Sequence, residues 1–434
     1  KQASDAVSTS YDQSTNINNC TLSTGSAQPA LTSNIINSKP VVRFDGSTDY
    51  LTNSTFNPLS GAAGSSIFAV IKATTPANNN YIFTDQNQVM GFQVNSNNLY
   101  IYADGSNYGS AAFTSTAAKL FSSVYSGAGS GNSGRLTGFV DGTYQSLSYT
   151  GTVPATLAAN TGYWIGASDS VANFYTGDIA EVLVYDAAVS NANRRYIETY
   201  LATKYNITLN NNAPVVADRT IALTEDTASS ITMLYTDYDG DDALTCTVGN
   251  VTGGSFTVGC ACAAGVCTAT FTPTSELAGT GVASYTFKVN DGTVDSSSAT
   301  VTANITAVND VPTVSTIADQ YTVKNAAIFG VNFSVDEGGG TDENTQTLTV
   351  TATSSDQVLI PNANITVNWT DNGAGDASTA TQPTINIFPA ANQTGTATIT
   401  VNVADNLGLD VNTSFLVTVN NWNIPTSIAG LKLW

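Results

Sequence analysis

Between about residues 40 and 188 the chain is a run of short apolar segments, VVRF, SIFAVIKA, YIFT, LYIYA, RLTGFV, YWIGA and AEVLVY. Stretches of turn-forming residues separate them: DGSTD, PANNN, ADGSNYGS, GAGSGNSG and VDGT. Segments this short, repeatedly broken by turn chemistry, leave no room for helices and predict antiparallel strands closed into a β-sandwich or jelly roll. The hydrophobic residues, 42% of the chain, fit that reading, being mostly Val, Ile, Ala, Tyr and Phe in a background of Thr, Ser, Asn and Gly. One helix interrupts the rhythm. Ser190 is a natural N-cap for SNANRRYIETYLATKYN, which sets Tyr196, Ile197, Tyr200, Leu201 and Tyr205 on one stripe and predicts a helix packed on the sandwich edge.

A chain of 434 residues exceeds what one hydrophobic core organises, so three domains are expected. The composition shifts at about residue 210 through the polar linker NNNAPVVAD, and two further strand-rich stretches follow, divided at VNDVP (308–312). Their strands, among them SITMLY, ALTCTV, SYTFKV, TLTVTA, ATITVNV and FLVTV, have the length and rhythm of Ig-like sandwiches. Proline after a short acidic linker predicts stiff, in-line stacking. The fold class expected is therefore all-β: a jelly-roll β-sandwich with one edge helix, followed by two Ig-like β-sandwich domains.

Charge narrows the partners. Charged residues are only 11% of the chain, and 33 acidic against 13 basic residues give a net charge of −20. Such a surface repels nucleic acid and anionic membranes and favours divalent cations, calcium above all. The chain has no membrane-spanning apolar stretch, and residues 1–19 are too polar for a signal peptide, so the sequence reads as processed or as a segment of something longer. Four of the five cysteines, Cys246, Cys260, Cys262 and Cys267, crowd together while Cys20 stands alone. Without histidine or paired CxxC knuckles the cluster reads as two disulfides rather than a zinc site. Two strands around the Gly-rich turn of TCTVGNVTGGSFTVGC would oppose Cys246 to Cys260 and leave Cys262 to Cys267, other pairings staying open. Disulfides place the chain in an exported, oxidising setting, where Cys20 is either free or a link between copies.

The absence of histidine excludes Ser-His-Asp and Cys-His catalysis. The nearest approach to a glycosidase carboxylate pattern, Asp178, Glu181 and Asp186, has apolar spacing that favours a structural role, so no enzyme is expected. Calcium is the sharper expectation. The turn DYDGDD offers Asp237, Asp239, Asp241 and Asp242, and Glu225, Asp226, Asp291 and Asp310 are candidates to join them around a hard cation. A second acidic group, Asp336, Glu337, Asp342 and Glu343, flanks a Gly-rich loop. Tyr100, Tyr102 and Tyr108 would either stack on surface glycans or, for the first two, pack on the core side of their strand. Ten Asn-x-Ser/Thr tripeptides are what chance gives a chain so rich in Asn and Thr, and none is singled out for a glycan.

Longer stretches carry family resemblances. Residues 1–209 resemble the laminin-G-like, concanavalin-A-type jelly-roll domains of bacterial surface proteins, through STSYDQSTNINN, KPVVRFDGSTDYL, GDIAEVLVYDAAVS and the helix that follows. Residues 210–310 are similar to the cadherin-like tandem repeats of large adhesins, through LTEDTASSITMLYTDYDGDDALT, YTFKVNDGT and AVNDVP. Residues 311–422 resemble a related Ig-like repeat, through TLTVTATSSDQVLIPNANITV and PAANQTGTATITVNVADNLG. These resemblances imply an extracellular or cell-surface location, a structural or adhesive role and calcium held by some of the acidic residues.

The jelly-roll resemblance has one departure: such domains open on a strand reading roughly L-x-L-W, which here stands at the other end, as IAGLKLW (428–434). Residues 423–434, at roughly 3.6 Å each, span about 40 Å, the length of one Ig-like domain and short of two. The tail is therefore expected to act in trans, with Ile428, Leu431, Leu433 and Trp434 completing the jelly roll of the next identical copy, whether a separate subunit or the next repeat of a giant chain. Such head-to-tail contacts build open filaments. An arbitrary cut in a longer chain is the alternative for the tail, and a carbohydrate-binding module carried on Ig-like spacers is the alternative for the function.

Overall fold

The computed structural model describes residues 5–421, except 17, 23, 24, 78, 79, 241–243, 264, 342, 372, 374–376 and 378–380. The first part of the chain folds into two antiparallel sheets. A nine-stranded sheet runs in the order Thr9–Ser10, Cys20–Thr21, Leu51–Asn53, Tyr163–Ile165, Asn80–Asp85, Met90–Asn95, Asn98–Ala103, Tyr108–Ala112, Ser148–Thr150. A seven-stranded sheet runs Thr143–Gln145, Leu136–Val140, Lys119–Ser126, Gly64–Ala73, Thr176–Tyr185, Lys39–Asp45, Ala30–Ile36. Non-consecutive neighbours, such as Tyr163–Ile165 between Leu51–Asn53 and Asn80–Asp85, and Gly64–Ala73 between Lys119–Ser126 and Thr176–Tyr185, give the jelly-roll weave. Ile67, Ala69, Ile71 and Phe121 of one sheet meet Phe83, Phe92, Leu99 and Ile101 of the other in one core, with Phe92 edge-on to Phe121 at 6.0 Å.

Central strand Gly64–Ala73 explains why SIFAVIKA does not alternate in polarity: both of its faces are covered. While Ile67, Ala69 and Ile71 point into the sandwich, Phe68 and Val70 point outward into a second apolar cluster with Leu120, Leu201 and Tyr205. That outer cluster seats the helix Asn191–Tyr205, capped by Ser190, whose hydroxyl accepts from the Asn193 amide, and ended at Asn206 in the left-handed region. The expected helix forms, but its seat and its face differ from the expectation. It lies on the middle of the sheet, against Lys119–Ser126 and Gly64–Ala73, not at an edge. Tyr196 and Tyr200 are 78% and 51% exposed, whereas Arg194, Glu198, Leu201, Ala202 and Tyr205 are buried. The inward stripe holds a charge pair that an apolar-periodicity reading passes over.

Two smaller sandwiches follow, each with its own core. In the first, Val215–Val216, Ser229–Thr236, Val266–Pro273 and Gly254–Ala263 face a sheet of Arg219–Thr224, Ala299–Thr306, Gly279–Asn290 and Thr245–Thr252. Met233 and Phe271 from one side pack with Phe287, Val289 and Val301 from the other. Alternation is clean here: Ala299–Thr306 reads buried at every second residue, the mark of a sheet with one wet face. The last sandwich sets Gln320–Val323, Asp410–Asn420, Gly395–Ala404 and Thr349–Ser354 against Ile328–Asn332, Thr384–Ile387 and Ile365–Asn368, with a short pair, Thr313–Val314 and Val335–Asp336, beside them. Both share one signature: an early strand, Arg219–Thr224 or Gln320–Val323, runs parallel to the last strand of its sandwich, Ala299–Thr306 or Asp410–Asn420. The chain is all-β, a jelly-roll sandwich followed by Ig-like sandwiches.

Candidate functional site

The acidic residues of the jelly roll serve the fold. Asp178 accepts from Arg43 through both oxygens, at 2.7 and 3.0 Å. Glu181 accepts from Lys204 at 2.7 Å and from the Tyr205 hydroxyl at 2.9 Å, tying the helix to its sheet. Asp186 is exposed. Cys20 is 4% exposed beside Val7 and Leu51, and burial pushes its thiol up to about 11. A thiol so enclosed and so weakly acidic is unsuited to cross-linking copies. Tyr100, Tyr102 and Tyr108 form one aromatic cluster with Tyr81, and the core side of their strand is occupied by Leu99, Ile101 and Ala103 instead. The tyrosines therefore stand on the outer face, contrary to the core-side expectation, with the Tyr102 hydroxyl donating to Gln93 at 2.7 Å.

Of the eight residues expected to gather around calcium, Asp237, Asp239 and Asp291 sit at the end of the second sandwich that meets the first. There they accept protein donors. Asp237 takes the Asp239 amide at 2.7 Å. Asp239 takes the Asn212 amide at 2.6 Å and side chain at 2.8 Å, with Arg195 at 3.6 Å. Asp291 takes the Asn211 side chain at 2.8 Å and the Thr293 and Val294 amides at 2.7 Å. Asp241 and Asp242 lie outside the described residues.

The opposite end of the second sandwich is different. Strands Ser229–Thr236 and Gly279–Asn290 both begin there, so the turns that precede them deliver Asp226 and Glu276 to the same rim, where Asp310 arrives on the segment leading to the third sandwich. One carboxylate oxygen from each of the three lies within 4.8 Å of the others. Asp310 Oδ2 and Glu276 Oε2 are shielded from solvent and accept no hydrogen bond from the protein. Burial, and after it the facing Glu276 carboxylate, lift Asp310 to about 6. Carboxylates this close call for a shared proton or a cation. Glu225, next in sequence to Asp226, turns inward and accepts the Val308 amide at 2.7 Å. Glu276 went unread in the sequence because SEL carries no motif; only counting which turns share an end of the sandwich would have found it.

In the third sandwich the acidic loop residues act as caps. Asp336 accepts the Gly338 amide at 2.9 Å, and Glu337 accepts the Ala377 amide at 2.9 and 3.0 Å. Glu343 accepts the Asp310 amide at 2.8 Å and the Gln346 side chain at 2.7 Å, and Asp342 lies outside the described residues. Cys246 is bridged to Cys260 and Cys262 to Cys267. The first bridge joins strand Thr245–Thr252 of one sheet to Gly254–Ala263 of the other, and the second lies inside the hairpin of Gly254–Ala263 with Val266–Pro273. Residues 428–434, with Ile428, Leu431, Leu433 and Trp434, are outside the described residues. No helix among the described residues is long and apolar enough to cross a membrane.

These features define a multi-sandwich β-protein with Ig-like units and a carboxylate cluster at one junction. Within it, residues 211–304 match the family model described as bacterial Ig domain. No curated protein matches the chain. Among solved structures it is similar to protocadherin gamma B7 extracellular cadherin domains 1–4, with 11% identity, a TM-score of 0.28, and 48% of this chain and 50% of that one covered. It is also similar to Drosophila N-cadherin EC1–4, with 13% identity, a TM-score of 0.32, and 81% of this chain and 73% of that one covered. A GH54 α-L-arabinofuranosidase mutant is similar at 13% identity and a TM-score of 0.34, with 54% of this chain and 60% of that one covered. The chain spans half the length of the protocadherin fragment.

Proposed function

We propose that the chain is a non-catalytic, extracellular structural or adhesive element, a strut of three sandwiches with boundaries at 1–209, 210–310 and 311–422, stabilised at its second junction by calcium. The observation that carries this reading is the cluster of Asp226, Glu276 and Asp310. Three carboxylates, two of them with shielded oxygens lacking donors, supply the hard oxygen ligands calcium prefers, and backbone carbonyls or water would complete its six to eight. The second sandwich meets its neighbours at opposite ends, through Asp237 to Asp239 on one side and Asp226 to Asp310 on the other, which supports an extended shape. A calcium titration of the full chain, followed by calorimetry and thermal unfolding, should show binding and a raised Tm. Glu276→Gln with Asp310→Asn should abolish both. A wild-type chain indifferent to calcium, or a variant that binds it as well, removes the calcium reading.

The first 209 residues are read as a laminin-G-like jelly roll, and residues 423–434 as a strand that completes the jelly roll of the next copy, building a head-to-tail surface fibre. Deleting residues 428–434 is expected to abolish multimers in sedimentation. A wild-type chain that stays monomeric at high concentration speaks against the fibre. A second reading, glycan binding by the first sandwich, is favoured by Tyr100 and Tyr108, partly exposed beside the buried Tyr102.

A further inference from the structure

Among the described residues, the junction between the first two sandwiches is held by direct contacts between the two bodies. Arg194, on the helix of the first sandwich, is fully buried. Its guanidinium is paired with Glu198, lies 3.6 Å from the centre of the Phe139 ring, and donates to the backbone carbonyl of Tyr238, a residue of the second sandwich. The Tyr238 ring in turn lies flat on Tyr144 of the first sandwich, centroids 4.1 Å apart and planes 5° from parallel. Asn212 bridges both bodies: its side chain donates to the Gly142 carbonyl at 2.7 Å and to Asp239 at 2.8 Å, and accepts the Tyr144 amide at 2.7 Å. Asn191 donates to the Asp237 carbonyl at 2.8 Å. Contact is close enough that a Cβ on Gly240, where φ is +72°, would stand 2.6 Å from the Ala192 nitrogen.

We infer that this junction is a cation-independent lock centred on Arg194, which holds the first two sandwiches in one fixed orientation whatever the calcium concentration. The physical ground is donor supply. A junction lined by carboxylates opens when they repel, and here Asp239 and Asp291 are each met by asparagine side chains and amides, with Arg195 at 3.6 Å from Asp239. At the far junction Asp310 Oδ2 and Glu276 Oε2 have no such donors. Small interfaces between domains permit motion by default, so fixing this one takes directional contacts: a buried guanidinium reaching across, a stacked ring pair and an asparagine with bonds to both sides.

The test places paired distance labels on the full chain at exposed Ala128 and Thr257, across the first junction. The width of the distance distribution is then compared in calcium and in excess chelator. The expected result is one narrow distribution in both, and roughly a doubling of its width when Tyr238→Ala and Asn212→Ala are combined. These two residues are on the surface of their own sandwiches once parted, and hydrogen exchange in strands Gly64–Ala73 and Ala299–Thr306 verifies that both bodies remain folded. Broadening of the wild-type distribution by chelator overturns the inference, as does a narrow distribution in the folded double variant. A second label pair, Thr257 with Thr396, reads the far junction separately, so loss of the calcium reading is told apart from loss of the lock.

Discussion

Arg194→Ala is expected to destabilise the first sandwich by roughly 3–5 kcal/mol, because it strands a buried charge. Glu198 is wholly buried and has Arg194 and the Ser122 hydroxyl as its close partners, with Arg195 at 3.9 Å. Removing the guanidinium leaves that carboxylate in an apolar setting, strips the cation from the Phe139 ring and orphans the Tyr238 carbonyl. Most of the cost comes from the unpaired partner and not from the pair's own attraction. Arg194→Met together with Glu198→Leu should therefore recover most of the loss, since hydrophobic replacements of a buried ion pair are often neutral or better. Denaturant unfolding of the single and double variants checks this. A single variant within about 1 kcal/mol of wild type would mean that water reaches Glu198 and that the pair is not sealed.

The same pair shows where the sequence was legible and where it was not. Strand rhythm and turn chemistry are local properties, so the alternation in AEVLVY or SYTFKV and the Gly-rich breaks between strands carried the fold class. The helix was legible in its cap, Ser190, and in Leu201 and Tyr205, but not in its inward face. Arg194 and Glu198 continue the apolar stripe at helical spacing, and an ion pair that cancels its own charge occupies core positions without any hydrophobic signature. Tyr196 and Tyr200 stand in the complementary, exposed positions, although their apolar rings suggest an inward stripe.

The carboxylates are legible only in part for a related reason. Asp239 and Asp291 look like cation ligands because nothing in their own segments reveals that Asn212 and Asn211, in the polar linker, donate to them. Conversely, Glu276 has no acidic neighbour in sequence and joins Asp226 and Asp310 only because two turns fall at one end of a sandwich. Ligand sets built from separate turns are a property of topology, and a one-dimensional pattern holds too little of it.

The two disulfides divide the stabilisation of the second sandwich unequally. Cys246→Ala with Cys260→Ala opens a loop whose ends are 14 residues apart. Loop-closure entropy for that span is about 3 kcal/mol, and the bridge also pins one sheet to the other at the rim of the core. Cys262→Ala with Cys267→Ala opens a span of only 5 residues, for which the same relation gives about 2 kcal/mol. The bridge lies within one hairpin, where Gly254–Ala263 and Val266–Pro273 are already paired by backbone hydrogen bonds, so it ties no second sheet to the core. The expected order is therefore a larger loss for the sheet-to-sheet bridge, with hydrogen exchange rising through strand Thr245–Thr252 as it parts from its partner sheet. Urea unfolding of the two double variants, read by exchange protection in residues 245–273, decides the matter. If opening the hairpin bridge costs more, Cys267, buried in the core, matters through its packing, and the sheets are held together by Met233, Phe271 and Phe287 without need of the longer bridge.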